Sequence, residues 1–449
     1  MKMMKKIKHI YSNGKDFWKE GTVENKEYED TLEITNKTKQ TVKGFGGCFN
    51  EISWDILKKV DENKRKEILD NLFTEEGLNF NVGRLPMGAS DYALEWHSYD
   101  ETNGDYELKD FTIKRDEEHL LPYLREALNR KPDMSLFASP WSPPTWMKTK
   151  KAYNFGTLSW EQENLQTYAN YFAKYVEEYK KSGVKIEQVH IQNEPHADQK
   201  FPSCMWTGKE MRDFIKNHLG PVFEEKGIDS EIWLGTINGP FLDFQISLPG
   251  CAPFSEFYDQ CVNTVLSDKE ARKYISGVGF QWGGKHVIEQ TELSYPEIRF
   301  MQTENECGDG QNTWQHAEYV FGLFWHYFVH NVESYVYWNM VLPKGGVSTW
   351  GWEQNTMITI NPETKEVVYE PEFYVMKHFS HFVKPGAKRI VTKGHWTSNS
   401  IVFENPNGEI VVVVGNVMDN DREFTFKYKD VSFSTIIKAH SVNTFCIEN

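Results

Sequence analysis

A chain of 449 residues with a formal net charge of −15 is long enough for one large domain and a smaller one. The acidic balance argues against nucleic acid and anionic membrane surfaces as partners, because both repel negative charge, and it favours a neutral ligand. The sequence contains no run of about 18 apolar residues, so we predict no membrane-spanning helix.

The N-terminal residues combine a lysine-rich start with strand-like patterns further on. MKMMKKIK leads into His9 and Tyr11, where a signal peptide requires an apolar segment, so we predict no signal peptide and a cytoplasmic location. LEITN at Leu32 and KQTVKG at Lys39 are typical of short β-strands. We assign residues 1–40 to N-terminal strands that join a second, β-rich domain.

Eight short apolar runs follow in regular order, most of them separated by helix-like segments. The clearest helical patterns cover residues 53–72, 160–181 and 313–330, whereas the interval between the sixth and seventh runs is too short for a long helix. Eight β-then-α units predict a (β/α)₈ barrel over residues 41–384. The runs are GFGGCF from Gly44, NVGRLPM from Asn81, MSLFASP from Met134, IEQVHIQNEP from Ile186, EIWLGTING from Glu231, ISGVGFQW from Ile275, IRFMQTE from Ile298 and SYVYWNM from Ser334.

A doubly wound open sheet is the alternative, because it also alternates strands and helices. A dinucleotide-binding sheet would show G-x-G-x-x-G after its first strand, and a phosphate loop would carry a lysine. Here GFGG is followed by FNEISWD, which has neither feature. We therefore favour the barrel, and a dinucleotide-binding fold has little support.

From about Pro385 the pattern changes to short strands with turn signals between them. The Asn407-Gly408 pair between two strand-like runs is typical of a tight hairpin. We predict that residues 385–449 form a small β-sandwich together with the N-terminal strands. The absence of a low-complexity linker indicates that the sandwich packs against the barrel.

Other kinds of active site have little support in the sequence. The six cysteines include no C-x-x-C pair, which is typical of free thiols in a reducing compartment. Cys48 and Cys307 have no obvious histidine and amide partners, so we do not expect a thiol nucleophile. The fourteen histidines show no H-E-x-x-H or similar spacing, so we predict no metal site. No G-x-S-x-G turn for a serine nucleophile is present.

Two glutamates end strands of the predicted barrel, at the face where such barrels carry their active sites. Glu194 follows the fourth strand within IQNEP, and Glu304 ends the seventh within MQTE. Cleavage of a glycosidic bond needs a carboxylic acid to protonate the leaving oxygen and a carboxylate to attack or stabilise the anomeric carbon. We predict these roles for Glu194 and Glu304, with Glu306 as a competitor and a solvated charge as the alternative. Asn193 is placed to bind a sugar 2-hydroxyl.

Further side chains at strand ends complete a candidate sugar site. Arg84 lies inside an apolar run, so it must be paired, either with a carboxylate nucleophile or in a structural salt bridge. Asp91 is suited to accept hydrogen bonds from sugar hydroxyls or to cap its loop. Trp141, Trp146 and Trp338 present rings that stack on a sugar or fill the core.

Taken together, these motifs resemble glycoside hydrolase family 30, which includes the lysosomal glucosylceramidases. The resemblance implies a (β/α)₈ barrel with a side β-sandwich, and a retaining mechanism without metal or organic cofactor. The matching segments run in family order from about residue 41 to 390 and include GFGGCFNEISWD, GRLPMGASDYALEWHSYD, SPWSPPTWMKT, QNEPHADQKFPSCMWTGKEMRDFIKNHLGP, MQTENECGDG, YWNMVLPKGG and YEPEFYVMKHFSHFVKPGAKRI.

The resemblance also implies roles for individual residues. Glu194 matches the acid/base and Glu304 matches the nucleophile, which favours Glu304 over Glu306. The residues that match the sugar-holding positions are Asp91, Trp141, Asn193 and Trp338, and Arg84 matches the arginine beside the nucleophile.

One segment departs from the family pattern. After the sixth strand the glucosylceramidases carry His-Trp-Tyr, whereas this chain reads Gln281-Trp282-Gly283. The tyrosine that contacts the nucleophile is therefore missing at that position. We include Gln281 among the predicted substrate-binding residues.

We expect a retaining β-glycosidase that acts on a soluble β-glucoside or a short β-gluco-oligosaccharide. An endo-β-1,6-glucanase is the alternative within this chemistry, as is a β-glycosidase for fucose, galactose or xylose. A carbohydrate-binding protein without catalysis is the alternative from another class, and the presence of both Glu194 and Glu304 argues against it.

Overall fold

The N-terminal segment belongs to the C-terminal β domain rather than to the barrel. In the computed structural model, which describes residues 6–240 and 258–448, the chain begins with β1 (Ile7–Asn13), β2 (Lys19–Glu20) and β3 (Thr31–Thr41). β1 pairs antiparallel with the last strand, Ser441–Ile447, and β3 pairs antiparallel with Lys388–Lys393. The two ends of the chain therefore build one sheet.

Eight parallel strands form the barrel, each within or overlapping a run that the sequence analysis identified. They are β4 (Gly44–Cys48), β5 (Val82–Met87), β6 (Ser135–Pro140), β7 (Gln188–His190), β8 (Glu231–Ile237), β9 (Ile275–Gln281), β10 (Arg299–Glu304) and β11 (Ser334–Asn339). From β4 to β10 each strand is hydrogen-bonded to the next, and β11 returns to pair with β4. Most of their residues are buried on both faces, which explains the continuous apolar runs.

The three helices predicted from the sequence are present, but one of them is divided into two. The predicted helix over 53–72 is two helices, because Asn50 Oδ1 accepts from Ser53 N and Asp61 Oδ1 accepts from Lys64 N, so each residue caps a separate start. The helices of the described segments are α1 (Glu51–Lys58), α2 (Glu62–Phe73), α3 (Lys114–His119), α4 (Leu121–Arg130), α5 (Gln162–Lys181), α6 (Gly208–Phe214), α7 (Gly220–Lys226), α8 (Val262–Leu266), α9 (Lys269–Arg272), α10 (Ile288–Ser294), α11 (Trp314–Val329) and α12 (Pro371–Ser380). The short sixth interval holds a 3₁₀ turn, Trp282–Val287, and α10.

Side-chain amides help to close the barrel between β10 and β11. These two strands stand at opposite ends of the hydrogen-bonded strand order, and one isolated bridge, Phe300 to Val332, joins the chain there. Gln302 Oε1 accepts from Val336 N at 2.7 Å, and Asn305 Oδ1 accepts from Trp338 N at 2.7 Å. The two amides thus satisfy backbone donors that a neighbouring strand would otherwise satisfy.

The second domain is a sheet that folds over its own core. Besides β1, β2 and β3 it contains β15 (Lys388–Lys393), β16 (Ser400–Glu404), β17 (Ile410–Asn416), β18 (Arg422–Tyr428), β19 (Val431–Ile437) and β20 (Ser441–Ile447). These nine strands run in the order β19-β18-β3-β15-β16-β17-β20-β1-β2. β18 and β20 are distant in this order, yet their Phe424 and Phe445 rings stack with centroids 5.3 Å apart. The predicted sandwich beside a barrel is therefore confirmed. The remaining strands of the described residues are β12 (Val341–Pro343), β13 (Ile358–Ile360) and β14 (Val367–Tyr369), which form a small third sheet.

A buried histidine joins the two domains. His378 on α12 contacts Ser12 Oγ through Nε2 at 3.0 Å and Thr444 Oγ1 through Nδ1 at 2.8 Å. Burial lowers the pKa of His378 to about 3, so the imidazole is neutral at ordinary pH. The barrel-side helix is therefore bonded to both ends of the chain at once.

Two further predictions concern membrane-spanning helices and the state of the cysteines. Among the described residues, no helix has the length and apolarity needed to cross a bilayer. Five cysteines are buried free thiols, and the sixth, Cys251, lies outside the described residues.

Gln302→Met tests the closure of the barrel. The substitution keeps the side-chain volume but leaves the buried Val336 N–H without its acceptor, which costs about 1–3 kcal/mol. We expect the free energy of unfolding, measured with urea, to fall by that amount. Gln311→Met, at an exposed position, should stay within about 0.5 kcal/mol of the parent. Equal stabilities for the two variants would show that closure does not depend on this amide.

Candidate active site

A cleft opens at the carboxyl ends of the barrel strands. Six predicted residues line it: Asp91, Trp141, Asn193, Glu194, Glu304 and Trp338. The structure thus brings together side chains from five strand ends that are far apart in the sequence.

Arg84 lies beneath the cleft, fully buried, at the centre of a hydrogen-bond network. Its Nη1 donates to Glu304 Oε2 at 2.7 Å and its Nη2 donates to Asn193 Oδ1 at 2.6 Å. Ser139 Oγ accepts from Nε and Nη2, and Gln281 Oε1 accepts from Nη1. Of the two pairings that the sequence left open, the structure shows the one with Glu304.

Glu194 enters the cleft through an unusual backbone conformation. Its φ is +48°, in the left-handed region that residues other than glycine rarely adopt. The backbone is held on both sides, because Asn193 N donates to Pro140 O at 2.7 Å and Glu194 N donates to Thr236 O at 3.2 Å. Neighbouring strand ends therefore fix the turn that presents the carboxyl group.

Gln281 connects the two predicted carboxylates. Its Nε2 donates to Glu194 Oε1 and to Glu304 Oε2, each at 3.3 Å. Its Oε1 accepts from Thr303 Oγ1 at 2.9 Å, which sets the orientation of the amide. Like Arg84, Gln281 is fully buried and supports the cleft from below rather than lining it. Arg84 therefore contacts Glu304 alone, whereas Gln281 contacts both glutamates.

Glu304 and Glu306 point into different surroundings. Glu304 lines the cleft, with Trp282 Nε1 donating to its Oε1 at 3.2 Å. Glu306 is not among the lining residues, and its Oε1 accepts from Lys285 Nζ at 2.6 Å. The geometry therefore separates the two competing glutamates and places Glu304 opposite Glu194.

The carboxyl groups of the cleft have different protonation preferences. Burial, then the charges of Glu304 and Asp91, raise the pKa of Glu194 to about 8. Burial and the charge of Glu304 raise the pKa of Asp91 to about 7. Burial also raises the pKa of Glu304, but Arg84, Trp282 and Gln281 all act in the opposite direction. Glu304 is therefore the group best provided with partners for the ionised form.

Cys307 also lines the cleft, with its Sγ 4.0 Å from Glu304 Oε1. Burial, together with the charges of Glu304 and Asp91, raises the pKa of this thiol far above its ordinary value. The pKa of the buried Cys48 thiol is raised in the same way. Both thiols are neutral at ordinary pH and lack the thiolate that a cysteine nucleophile requires.

Two groups of aromatic rings form walls of the cleft. Trp141 and Trp338 stack at 5.4 Å beside Arg84, whose guanidinium lies 4.6 Å from the Trp141 ring centroid. A second series runs in successive ring contacts of 5.6 to 6.1 Å and consists of Trp282, Trp352, Trp350 and Phe201. These four rings are not among the residues predicted from the sequence, although the aromatic segment STWGW after the eighth strand was a signal for two of them.

Trp146, grouped with Trp141 in the sequence analysis, does not reach the cleft. Its ring packs against Tyr106 and its Nε1 donates to Asp100 O at 3.1 Å. The segment SPWSPPTW therefore places the Trp141 ring in the cleft and the Trp146 ring in the packing around it.

One group of possible metal ligands exists among the described residues. Glu51, His97 and Asp116 have ligand atoms within 4.8 Å of one another. Arg115 donates to both carboxylate oxygens of Glu51, at 3.0 and 2.9 Å, so a cation already neutralises that carboxylate. The absence of a metal site stays a prediction.

Comparison with known proteins identifies several relatives over most of the chain. This chain is 30% identical to Putative glucosylceramidase 1 of Caenorhabditis elegans over 412 residues, which cover 86% of this chain and 76% of that protein. Identity to the Lysosomal acid glucosylceramidase of Mus musculus is 28%, with coverage of 90% and 81%. Identity to an Endo-1,6-beta-D-glucanase of Neurospora crassa is 26%, with coverage of 91% and 86%.

Solved structures and family models agree on the architecture. The fold resembles SrfJ from Salmonella typhimurium, with a TM-score of 0.87, 23% identity and coverage of 99% and 100% of the two chains. It also resembles the endo-beta1,6-glucanase BT3312, with a TM-score of 0.86, 22% identity and 99% coverage of both chains. The model of the glycosyl hydrolase family 30 TIM-barrel domain matches residues 42–383, and that of its beta sandwich domain matches residues 386–445. The chain belongs to glycosyl hydrolase family 30 and is a glycosidase.

Proposed function

We propose that this glycosidase is a retaining β-glycosidase, with Glu304 as nucleophile and Glu194 as acid/base. The observation that carries the proposal is the Gln281 amide, which lies 3.3 Å from Glu194 Oε1 and 3.3 Å from Glu304 Oε2. These two oxygens are therefore no further apart than twice that distance. This upper limit is compatible with the separation of about 5–5.5 Å between the carboxyl groups of retaining enzymes, and it leaves out most of the range of about 6.5–9.5 Å in which inverting enzymes hold a water molecule.

The reaction then proceeds in two displacements. Glu304 attacks the anomeric carbon as the bond to the leaving oxygen breaks, and Glu194 gives that oxygen its proton. A water molecule next attacks the same carbon from the other side, Glu194 takes its proton, and Glu304 leaves as a carboxylate. Two inversions at one carbon give net retention.

The electrostatic coupling between the glutamates suits this change of role. The charge of Glu304 contributes to the raised pKa of Glu194, so Glu194 is protonated at neutral pH when it must act as an acid. Formation of the ester removes the charge of Glu304. The pKa of Glu194 then falls, and the ionised carboxylate becomes available as the base for the second step.

Asn193 has an amide orientation suited to the sugar 2-hydroxyl. Three donors converge on its Oδ1: Arg84 Nη2 at 2.6 Å, Thr236 Oγ1 at 3.2 Å and Gln281 Nε2 at 3.3 Å. The NH₂ group of Asn193 is therefore left for the cleft, which this residue lines. A hydrogen bond from it to the 2-hydroxyl would strengthen in the transition state.

We favour a soluble β-glucoside or a short β-gluco-oligosaccharide as substrate. Support comes from the relatives, whose names refer to glucosylceramide or to 1,6-β-D-glucan, so that both groups share a glucosyl unit. An endo-acting β-1,6-glucanase is the second candidate, favoured by the match to such an enzyme over 91% of this chain. A cytoplasmic location remains a prediction from the sequence. Hydrolysis rates on a panel of aryl β-glycosides and β-linked disaccharides would identify the sugar.

Azide rescue of two matched variants distinguishes the roles of the glutamates. In Glu194→Ala, azide should restore turnover of an aryl β-glycoside with an activated leaving group and give a β-glycosyl azide, because Glu304 still forms the covalent intermediate. In Glu304→Ala, azide should attack the opposite face and give an α-glycosyl azide. NMR of the products identifies the anomers. An α product from Glu194→Ala, or full activity of Glu304→Ala without azide, would contradict the proposal.

The pH dependence of kcat/KM should have a basic limb near pH 8, set by Glu194. Because burial and neighbouring charges raise the pKa of Glu194 to about 8, its acid form is present below that pH and is lost above it. Activity should therefore fall roughly tenfold per pH unit above the limb. A dinitrophenyl glycoside has a leaving group that needs no proton. The basic limb of kcat/KM, which reports the first displacement, should therefore be weaker with this substrate than with one that needs a proton. An unchanged limb with that substrate would assign it to another group.

A further inference from the structure

We propose that Lys285 is a positioning residue for the nucleophile, acting through the indole of Trp282. The ammonium group contacts two segments that meet at Glu304. Its Nζ donates to Trp282 O at 3.1 Å and to Glu306 Oε1 at 2.6 Å. Trp282 follows β9, and Glu306 lies two residues beyond the end of β10. Lys285 therefore joins the two strand ends from behind the cleft.

The backbone at Trp282 needs such support. Trp282 has a φ of +46°, a left-handed conformation that is unfavourable for a bulky aromatic residue. The turn is also packed closely, since a Cβ at Gly284 would lie 2.0 Å from Ile237 O. On the other side, His326 Nε2 contacts Lys285 O at 3.0 Å. The conformation of Trp282 is thus held by β8, by α11 and by the Lys285 ammonium.

This conformation places the indole N–H on the carboxylate. Trp282 Nε1 donates to Glu304 Oε1 at 3.2 Å, while Arg84 donates to the other oxygen, Oε2. The indole thus supplies the neutral donor on one oxygen and Arg84 the charged donor on the other. A hydrogen bond to the ionised form lowers the pKa of Glu304 and fixes the direction of its lone pairs.

The ion pair also fixes the segment that follows the nucleophile. Lys285 and Glu306 are 20% and 10% exposed, so water screens their attraction only weakly. Asn305, between Glu304 and Glu306, donates from Nδ2 to Glu306 O and accepts from Trp338 N. A shift of Glu306 would therefore be transmitted to both Glu304 and Trp338.

Several titratable groups surround this ion pair and must be considered in any pH experiment. His326 contacts the backbone of Lys285. The charge of Glu306 contributes to the pKa values of five other neighbouring groups. These are His286, His316, Tyr319, Tyr327 and Tyr335. Burial lowers the pKa of His286, His316 and His326 and raises that of the tyrosines, so these groups are mostly neutral near pH 7.

The kinetic test, which rests on the proposed function, removes the ion pair as a unit. The Lys285→Met/Glu306→Gln variant leaves no unpaired buried charge and should lower kcat/KM about five- to twentyfold. The acidic limb of its pH profile, which reports the ionisation of the nucleophile Glu304, should lie about half a pH unit higher than in the parent. Trp282→Phe keeps an aromatic ring but removes the indole N–H donor, and should have at least as large an effect. Combining all three substitutions should shift the acidic limb no further than Trp282→Phe alone.

The control is an ion pair of the same residue types on the surface of α5. Lys181→Met/Glu178→Gln removes the contact from Lys181 Nζ to Glu178 Oε1 and should leave both kcat/KM and the pH profile unchanged. An additive shift in the triple variant, or a parental acidic limb without the Lys285–Glu306 pair, would overturn the inference. If the parent hydrolyses no β-glycoside, the proposed function fails and the following spectroscopic measurement decides the inference.

The spectroscopic measurement does not need catalysis. The indole ¹H–¹⁵N signal of Trp282, assigned by its loss in Trp282→Phe, should move with pH as Glu304 ionises and should stop moving in Glu304→Gln. In Lys285→Met/Glu306→Gln we expect the signal to move toward the position of a solvent-exposed indole. A Trp282 signal that stays at its parental position in this variant would show that Lys285 does not hold the indole.

Discussion

The buried guanidinium of Arg84 is the constraint on which the site depends. A cation removed from water is strongly unfavourable unless it is paired and its donors are satisfied. The partners of Arg84 come from the ends of β6, β7, β9 and β10, through Ser139, Asn193, Gln281 and Glu304. Because one planar group requires all four, the strand ends must meet in one arrangement. That arrangement also fixes the positions of the two carboxyl groups above it.

The charge balance around Arg84 separates the roles of the carboxyl groups. Glu304, Glu194 and Asp91 share a region with one buried cation, and Arg84 contacts Glu304 directly. The other two carboxyls experience burial and the charge of Glu304 without a cation in contact, so their pKa values are raised. One fixed positive charge therefore favours an ionised group beside a protonated one, which is the pairing that acid-assisted displacement needs.

Neutral amide and indole groups connect the carboxyl groups to each other and to the neighbouring strand ends. Gln281 connects the two glutamates, and Asn305 bonds the backbone of Trp338 at the closure between β10 and β11. Trp282, which precedes the position where the family resemblance implied a tyrosine, donates to Glu304. A neutral donor to this carboxylate is therefore present although Gly283 occupies the tyrosine position.

Local patterns were enough to define the architecture and most of the site. The eight apolar runs correspond to the eight barrel strands because strands buried on both faces must be apolar along their length. Polar residues at their carboxyl ends, such as Arg84 and Asn193, stand out against that background. The Asn407-Gly408 hairpin could be predicted because its turn depends on local backbone geometry, and Gly408 has a φ of +84°.

What the sequence determined by itself was the order of the strands and the set of polar side chains at their ends. Tertiary structure decided which of them face the cleft. Glu304 and Glu306 are equivalent in local pattern, and Lys285, 21 positions before Glu306, separates them by binding one. Trp141 and Trp146 lie in one proline-rich segment, yet Trp141 alone lines the cleft. The left-handed backbone of Trp282 has no local signature either. Each outcome depends on partners distant in the chain, and local periodicity contains no information about such contacts.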